Sequence, residues 1–471
     1  MRKAVRWEAW LMVSLVIGCR VSVLWAQAPQ PEPRSLTLQQ AVEHALEHYP
    51  SVRVALERAQ GAQGQIDLAR TNYLPTSNLL WQSNRATANN IFGLLLPQGV
   101  IPPISGPVLP TTSNRTVWGS AAGVLFSWEP LDFGYRRATV NAARAGENLA
   151  WSQANLTRLD VASEAAQAFI SVLAAQQAAR AARANVDRWE VVDKSVHVLV
   201  DNELRPGADA SRADAELAVA RTLWIQAQTA ARVIHAALVN ILGITGADVN
   251  LDAGPLLSAQ PAEDLPVLPL ASHPAATAQQ AQVEQVKAQE QALNRSYVPR
   301  FFTQAALSGR GSGANPDGTD SPGLNGLGLE RANYAAGITV TFPLFDYFSN
   351  RAQKKIVDAH QKAEAAQYDQ TLQSLSEGVE QAQATLEGAR KVAENTPVEL
   401  AAARASEAQS QARYKAGLAT LVDVSQAEGL LVQAEIDDAM ARLNLWRSLE
   451  GVAAAQGNLQ PFLELLRRSA P

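Results

Sequence analysis

The amino-acid sequence predicts an α+β membrane protein built from two copies of one unit, in which short β-strands alternate with very long helices. Three observations predict this fold. The sequence repeats itself in a fixed register, long stretches contain almost no proline, and short segments alternate apolar residues with small or polar ones. Alanine is the commonest residue and aromatic residues make up only 6% of the chain, which favours helices packed through small side chains.

The internal repeat fixes the domain organisation. Pro50 matches Pro274 and Pro75 matches Pro299 at an offset of 224 residues, whereas Asp209 matches Asp423 and Gly243 matches Gly457 at an offset of 214. One difference of ten residues in the loop after Pro75 or Pro299 reconciles the two offsets. We therefore predict a first repeat at 36–243, a linker at 244–271, a second repeat at 272–457 and a C-terminal tail at 458–471.

The proline-poor stretches predict the helices. Residues 133–200 form a candidate helix of nearly 70 residues, which would be about 100 Å long. The matching stretch, 347–414, contains Pro397, which should kink it. Residues 37–72 and 208–242 predict two helices of half that length, so each unit is one long helix beside two shorter ones. A rod of such helices without a pore is the alternative.

Four segments have the alternation of β-strands: 76–85, 115–128, 301–308 and 333–342. In the last, Tyr334, Ile338 and Val340 share one face and small or polar residues occupy the other. A half-buried sheet of a soluble domain has the same pattern. Two strands per copy are too few for such a core, however, and aromatic residues at strand ends favour a sheet that faces lipid.

The first 28 residues are typical of a signal peptide, with basic residues, an apolar stretch and a small-x-small site at Ala26-Gln27-Ala28. Cys19 ends a segment that resembles a lipoprotein cleavage site, so its lipidation is the competing interpretation. No later apolar stretch reaches about 20 residues, so we expect no transmembrane helix in the mature chain.

Composition excludes several function classes. The net charge is −5 and no basic run is present, so we expect no nucleic-acid partner. His44 and His48 have a spacing that can hold a metal, but no third ligand accompanies them, and a solvated helix face explains them better. We find no catalytic arrangement, and we expect no enzyme, no cofactor and no metal site.

Several fragments in order resemble the TolC-like outer-membrane efflux proteins. They are Leu36-Thr37-Leu38, Asn72-Tyr73-Leu74-Pro75, Ser296-Tyr297-Val298-Pro299, Phe342-Pro343-Leu344-Phe345-Asp346, Arg351-Ala352, Tyr414-Lys415-Ala416-Gly417-Leu418 and Val422-Asp423-Val424. The resemblance implies a homotrimer with a twelve-stranded barrel in outer-membrane lipid, continued by a periplasmic α-helical barrel. It also implies that loops 86–114 and 309–330 face outward.

The resemblance assigns a function and partners. It implies the outer-membrane channel of a tripartite efflux system, which takes small molecules from an inner-membrane transporter through a periplasmic adaptor protein. A duct for type I protein secretion and a pore-less periplasmic scaffold are the alternatives. The turns 201–208 and 413–420 would be the periplasmic tips that contact the adaptor, through Leu204, Gly207, Gly417 and Leu418.

The resemblance also implies a gate at these tips. In the family a tyrosine, an arginine and an aspartate hold the closed state; Tyr414 and Asp209 match two of them, but Ala419 replaces the arginine, and Arg413 or Lys415 would have to substitute. Asp423 matches one acidic ring position, although an acidic residue that stabilises a helix N-terminus would look the same. Gln426 stands at the second ring position and makes the gate less acidic.

Overall fold

The computed structural model describes residues 35–87, 115–244, 249–259, 261, 264–315, 319, 321, 323–343 and 346–469. The predicted signal peptide, Cys19 and most of the predicted outer loop 86–114 lie outside these residues.

The strands and the helices of the two repeats follow one another in the order that the sequence predicts, and short helices also form in the predicted linker and tail. The helices are α1 (Leu38–His48), α2 (Pro50–Thr71), α3 (Tyr135–Asp201), α4 (Gly207–Ile241), α5 (Pro255–Ser258), α6 (Pro274–Arg295), α7 (Asp346–Lys415), α8 (Leu421–Ala455) and α9 (Gln460–Arg468). The strands are β1 (Thr76–Thr87), β2 (Thr116–Leu131), β3 (Arg300–Ser312) and β4 (Arg331–Thr341).

The two long helices are confirmed. Helix α3 has 67 residues and α7 has 70, so each is about 100 Å long. Helix α7 continues through Pro397, which therefore does not break it. Helices α4 and α8 have 35 residues each and pack against α3 and α7, respectively. Each copy thus has one long helix beside shorter ones, as the repeat predicts.

The prediction of a single helix over 37–72 is wrong. Tyr49 has extended backbone angles (φ −67°, ψ 129°) and separates α1 from α2. A proline ring disfavours the helical region for the residue before it, and Tyr49 takes the extended alternative, so Pro50 begins α2 at a position where its missing N–H needs no partner. The second copy does the same at His273 and Pro274, where α6 begins.

The main apolar core lies where α1, α3, α8 and α9 meet. Phe169, Trp446 and Phe462 are fully buried there. The segment predicted as a linker adds to this core through Val249 and Leu256, and the segment predicted as a tail contains α9. Both segments are therefore part of the packed structure, because their apolar side chains cover helices of the two repeats.

The strands form one antiparallel sheet in the order β1-β2-β3-β4. Its register aligns Leu79, Val124, Leu307 and Tyr334 as one row across all four strands. All four side chains are exposed, and Tyr334 is 88% exposed. A sheet that shows such a row of apolar side chains without cover is suited to lipid rather than to water.

Two strands of this sheet have an unpaired edge. Within the described residues β1 pairs only with β2, and β4 pairs only with β3. Open edges carry backbone donors and acceptors that need partners. Among the described helices, none combines the length and the hydropathy that a membrane span requires.

Candidate functional site

The candidate site lies at the end of the long helices that is remote from the sheet, in the turns α3–α4 and α7–α8. Both turns have the same geometry: Glu203 and Gly417 have positive φ angles (60° and 76°), and the next residue, Leu204 or Leu418, donates its amide at 2.8 Å to the carbonyl five residues earlier. This pattern is typical of helix C-termini, where a residue in the left-handed conformation follows the last helical turn. The duplicated sequence therefore produces two matching tips.

The tips present the residues that were predicted to contact an adaptor. Leu204 and Leu418 are 68% and 70% exposed, so each turn carries one leucine projecting into solvent. Gly207 is exposed at the start of α4, and Gly417 is exposed in the second turn. A pair of exposed leucines on narrow turns is suited to insertion into an apolar groove of a partner.

Tyr414 and Asp209 are brought together, as predicted for a closed gate. The Tyr414 hydroxyl donates a hydrogen bond to Asp209 Oδ2 over 3.3 Å. Tyr414 lies in the last turn of α7 and is only 5% exposed, whereas Asp209 lies in the first turn of α4. The bond therefore joins the second helical hairpin to the first.

The third member of this cluster is Arg205, which sequence reasoning missed. Its Nη2 donates to the Tyr414 carbonyl oxygen over 2.6 Å, and its guanidinium carbon lies 4.5 Å from the centre of the Tyr414 ring. Neither Arg413 nor Lys415 takes this place, so that expectation is corrected. Ala419 stands where the family has its arginine, and at the offset of 214 its equivalent in the first copy is Arg205. The repeat could therefore have indicated Arg205 as the replacement.

The electrostatics of this cluster keep the tyrosine protonated. Burial raises the pKa of Tyr414, the charge of Asp209 raises it further, and the nearby Arg205 lowers it only in part. The phenol is therefore a hydrogen-bond donor throughout the neutral range. Arg205 lies over the ring and Asp209 accepts a hydrogen bond from its hydroxyl, and their opposite charges leave the cluster close to neutral as a whole.

An apolar cluster surrounds the latch formed by Arg205, Tyr414 and Asp209. It includes Trp189 of α3, Leu217 of α4 and Leu421 of α8. A further hydrogen bond, from Ser425 Oγ to Glu216 Oε1 at 2.9 Å, joins α8 to α4. At their tips, the two hairpins are thus held together by this apolar cluster and a few polar contacts.

Asp423 takes no part in the latch. Its Oδ2 accepts hydrogen bonds from the Thr420 amide and hydroxyl, both at 2.8 Å, and these bonds lower the pKa of the carboxyl group. This is a capping box at the start of α8, the alternative considered from the sequence. Asp423 and Gln426 are both exposed on α8, and their place in a ring remains a prediction.

A buried ionic cluster lies farther along the same helices, and the sequence did not reveal it. Arg188 of α3 contacts Glu428 at 2.9 Å and Glu435 at 3.2 Å, both on α8. Gln411 of α7 donates to Glu428 over 3.2 Å. Glu428 is 1% exposed, and burial raises the pKa of its carboxyl group. The cluster joins three helices behind the latch.

The two histidines of α1, His44 and His48, pack against each other, and His44 also contacts the end of α4. The rings of His44 and His48 stack with their centres 4.1 Å apart, and His44 Nδ1 lies 3.0 Å from the Leu242 carbonyl oxygen. These contacts hold α1 against the end of α4. His44 is half-buried, so the expectation of a solvated face applies only to His48.

Comparison with known proteins identifies the architecture. The model of the family described as outer membrane efflux protein matches residues 41–244 and 265–458, which is most of the chain. The chain belongs to this family. It is therefore an outer-membrane export channel protein that extends into the periplasm, and it is not an enzyme.

Two curated relatives match nearly the whole chain. Protein CyaE of Bordetella pertussis is 25% identical over 450 residues, covering 93% of this chain and 88% of the relative. The pyoverdine export outer membrane protein OpmQ of Pseudomonas aeruginosa is 25% identical over 435 residues, covering 90% and 84%. Both relatives span the two repeats.

Solved structures confirm the TolC-like α+β fold. CusC superposes with a TM-score of 0.73 at 16% identity and covers 89% of this chain and 92% of its own. The open state of the MtrE outer membrane channel of Neisseria gonorrhoeae gives a TM-score of 0.70 at 22% identity, covering 90% and 89%. At these identities the likeness concerns the fold alone.

Proposed function

We propose that this chain is one of three identical protomers of an outer-membrane duct in a tripartite efflux system. Each protomer gives four strands to a twelve-stranded barrel, and its helices continue the barrel across the periplasm. The duct takes small molecules from an inner-membrane transporter through a periplasmic adaptor protein that contacts the two tips.

The uncovered sheet with two open edges carries this proposal. Lipid offers no hydrogen-bond partner to an unpaired strand, so a membrane sheet is stable only when it closes on itself. Four strands are too few to close, whereas the β1 edge of one protomer can pair with the β4 edge of the next. The exposed row from Leu79 to Tyr334 then faces lipid all round the barrel.

The latch supplies the gate of the proposed duct. Arg205, Tyr414 and Asp209 join the two hairpins of one protomer, so they hold the tips in the narrow arrangement. Water can replace each of these polar contacts, and opening therefore requires only a few kcal/mol, about the size of a typical conformational switch. An adaptor that binds Leu204 and Leu418 can provide this energy.

Small molecules are the proposed cargo because OpmQ, a full-length relative, is named for the export of pyoverdine. Protein secretion uses the same kind of duct, since the inner-membrane partner selects the cargo. Deletion of the gene, with export of small dyes and of secreted proteins measured side by side, separates the two. Loss of dye export alone supports the proposal, and loss of protein secretion alone contradicts it.

Single-channel recording in planar bilayers tests the duct itself. Purified trimers should insert and conduct, and Asp423→Asn should reduce the preference for cations if three copies of Asp423 line the constriction. Asp67→Asn is the control, because Asp67 is an exposed carboxylate near the sheet end of α2. Well-folded protein that never conducts would favour the pore-less scaffold.

A further inference from the structure

Three potential metal ligands meet on the surface near the first tip. Asp193 and His197 are one turn apart on α3, and Asp214 lies opposite them on α4. His197 Nε2 is 3.2 Å from Asp214 Oδ1 and 3.7 Å from Asp193 Oδ1. One ligand atom from each residue lies within 4.8 Å of the other two.

The two separations from His197 are those of a tetrahedral metal site. Zinc binds imidazole nitrogen and carboxylate oxygen at about 2.0–2.2 Å, which places the ligand atoms of a tetrahedron about 3.3–3.6 Å apart. The two distances from His197 to the carboxylates bracket this range. A metal ion between the three side chains would need only small rotations about their side-chain torsions.

One carboxylate oxygen of this group has no hydrogen bond. Asp193 Oδ1 is buried from solvent and accepts no hydrogen bond. This oxygen lies 3.7 Å from Nε2 of His197, on the side of Asp193 that faces the other candidate ligands. Buried oxygens of carboxylates are normally bonded, because leaving one without a partner costs the full desolvation of the atom. A cation placed between the three residues would supply the missing partner.

The internal repeat provides independent support. At the offset of 214 the three ligands correspond to Glu407, Gln411 and Glu428 of the second copy. There the acidic position is neutralised by a cation, since Arg188 contacts Glu428 at 2.9 Å. The residue of the second copy that is equivalent to Arg188 is Ala402, so the repeat supplies no corresponding arginine to pair with Asp214 of the first copy. In the described part of the chain, the carboxylates of Asp193 and Asp214 pair only with His197.

We propose that Asp193, His197 and Asp214 bind one divalent transition-metal ion of the zinc class in each protomer. Imidazole with two carboxylates suits zinc, nickel or copper better than magnesium or calcium, which prefer oxygen ligands alone. The side chains of His197 and Asp214 are 42% and 61% exposed, so a fourth position is open to water. The ion ties the last turns of α3 to the second turn of α4.

Such an ion occupies a position close to the latch without belonging to it. Asp214 is little more than one turn beyond Asp209 on α4. His197 lies in the last turns of α3, eight residues before Arg205. Metal binding therefore stiffens the first hairpin, which carries two of the three latch residues. The site does not depend on the proposed transport function, and binding can be measured without transport.

The test is a calorimetric titration of zinc into full-length trimers in detergent, after removal of any affinity tag and of metal by chelation. We expect one zinc ion per protomer, and His197→Ala and Asp214→Asn should each weaken binding by roughly tenfold or more. His360→Ala is the matched control, because His360 is an exposed histidine paired one turn away with a single carboxylate, Glu364, at 3.2 Å. It should leave the affinity unchanged.

Cobalt gives a second readout of the same site. A tetrahedral cobalt site absorbs visible light strongly, and His197→Ala should abolish this absorption while His360→Ala retains it. Equal zinc affinity in wild type, His197→Ala and Asp214→Asn, or no binding by well-folded wild-type trimers, would overturn the proposal. Both substituted side chains are exposed, and trimer formation and thermal unfolding verify that each variant folds.

Discussion

Replacing Arg205 by alanine should open the gate. The change removes the 2.6 Å hydrogen bond to the Tyr414 carbonyl oxygen and the stacking of the guanidinium on the Tyr414 ring. A hydrogen bond from a charged donor contributes about 1.5–3 kcal/mol, and an exposed cation–π contact about 0.5–1 kcal/mol. Since Arg205 is only half-buried, we take the low end, about 2 kcal/mol per protomer.

A loss of about 2 kcal/mol shifts the equilibrium between closed and open tips roughly thirtyfold in each protomer. Three protomers that open together would multiply this effect. Single-channel recording measures it as a rise in open probability at constant trimer stability. Tyr414→Phe, which loses only the 3.3 Å bond to Asp209, should shift the equilibrium less, and the double variant should be less than additive.

Arg212→Ala is the matched control for this experiment. Arg212 lies on α4, seven residues after Arg205, and among the described residues it pairs only with Glu216 of its own helix, at 3.7 Å. It removes the same charge from the same region without touching Tyr414. Identical open probabilities for Arg205→Ala, Arg212→Ala and wild type would refute the latch.

Three further predictions concern stability, measured by thermal unfolding of the trimer in detergent. Trp446→Ala should cost about 3–5 kcal/mol, because it empties a fully buried site; an unchanged transition would contradict the packing. Arg188→Ala should cost about 3–5 kcal/mol by leaving Glu428 buried without its cation, and adding Glu428→Leu should restore most of the loss; failure of this rescue would show that Arg188 acts otherwise. Burial raises the pKa of Glu450, so the folded state keeps a proton that the unfolded state has lost, and stability should fall as pH rises from about 4.5. Glu450→Gln should flatten this fall, and an equal slope would contradict it.

The two copies of the unit use equivalent residues differently. Asp209 accepts a hydrogen bond from Tyr414, whereas its equivalent, Asp423, caps its own helix at Thr420. Glu203 adopts the left-handed turn conformation that its equivalent, Gly417, adopts without strain. Duplication thus preserves the backbone of the tips while the side-chain chemistry diverges. This asymmetry lets one latch join two hairpins that are similar in shape.

The sequence by itself determined the order of elements and the duplicated plan. Periodicity predicts the strands and the two long helices because alternation and proline content are local properties. The internal offset also determined which residues of the two copies are equivalent. The family resemblance, in turn, indicated Tyr414 and Asp209 as candidate gate residues. The break at Tyr49 was also readable from Pro50, although a single helix was expected there.

Only the tertiary structure decided which distant side chains meet. The repeat offset can indicate Arg205 as the equivalent of Ala419, but Arg205 reaches Tyr414 only because the two hairpins pack side by side. The same is true of Arg188 with Glu428, and of Asp214 with His197. Such contacts depend on the rotation and axial shift of each long helix against its neighbour. The packing of many side chains along these helices fixes the rotation and the shift together, and a local pattern in the sequence cannot.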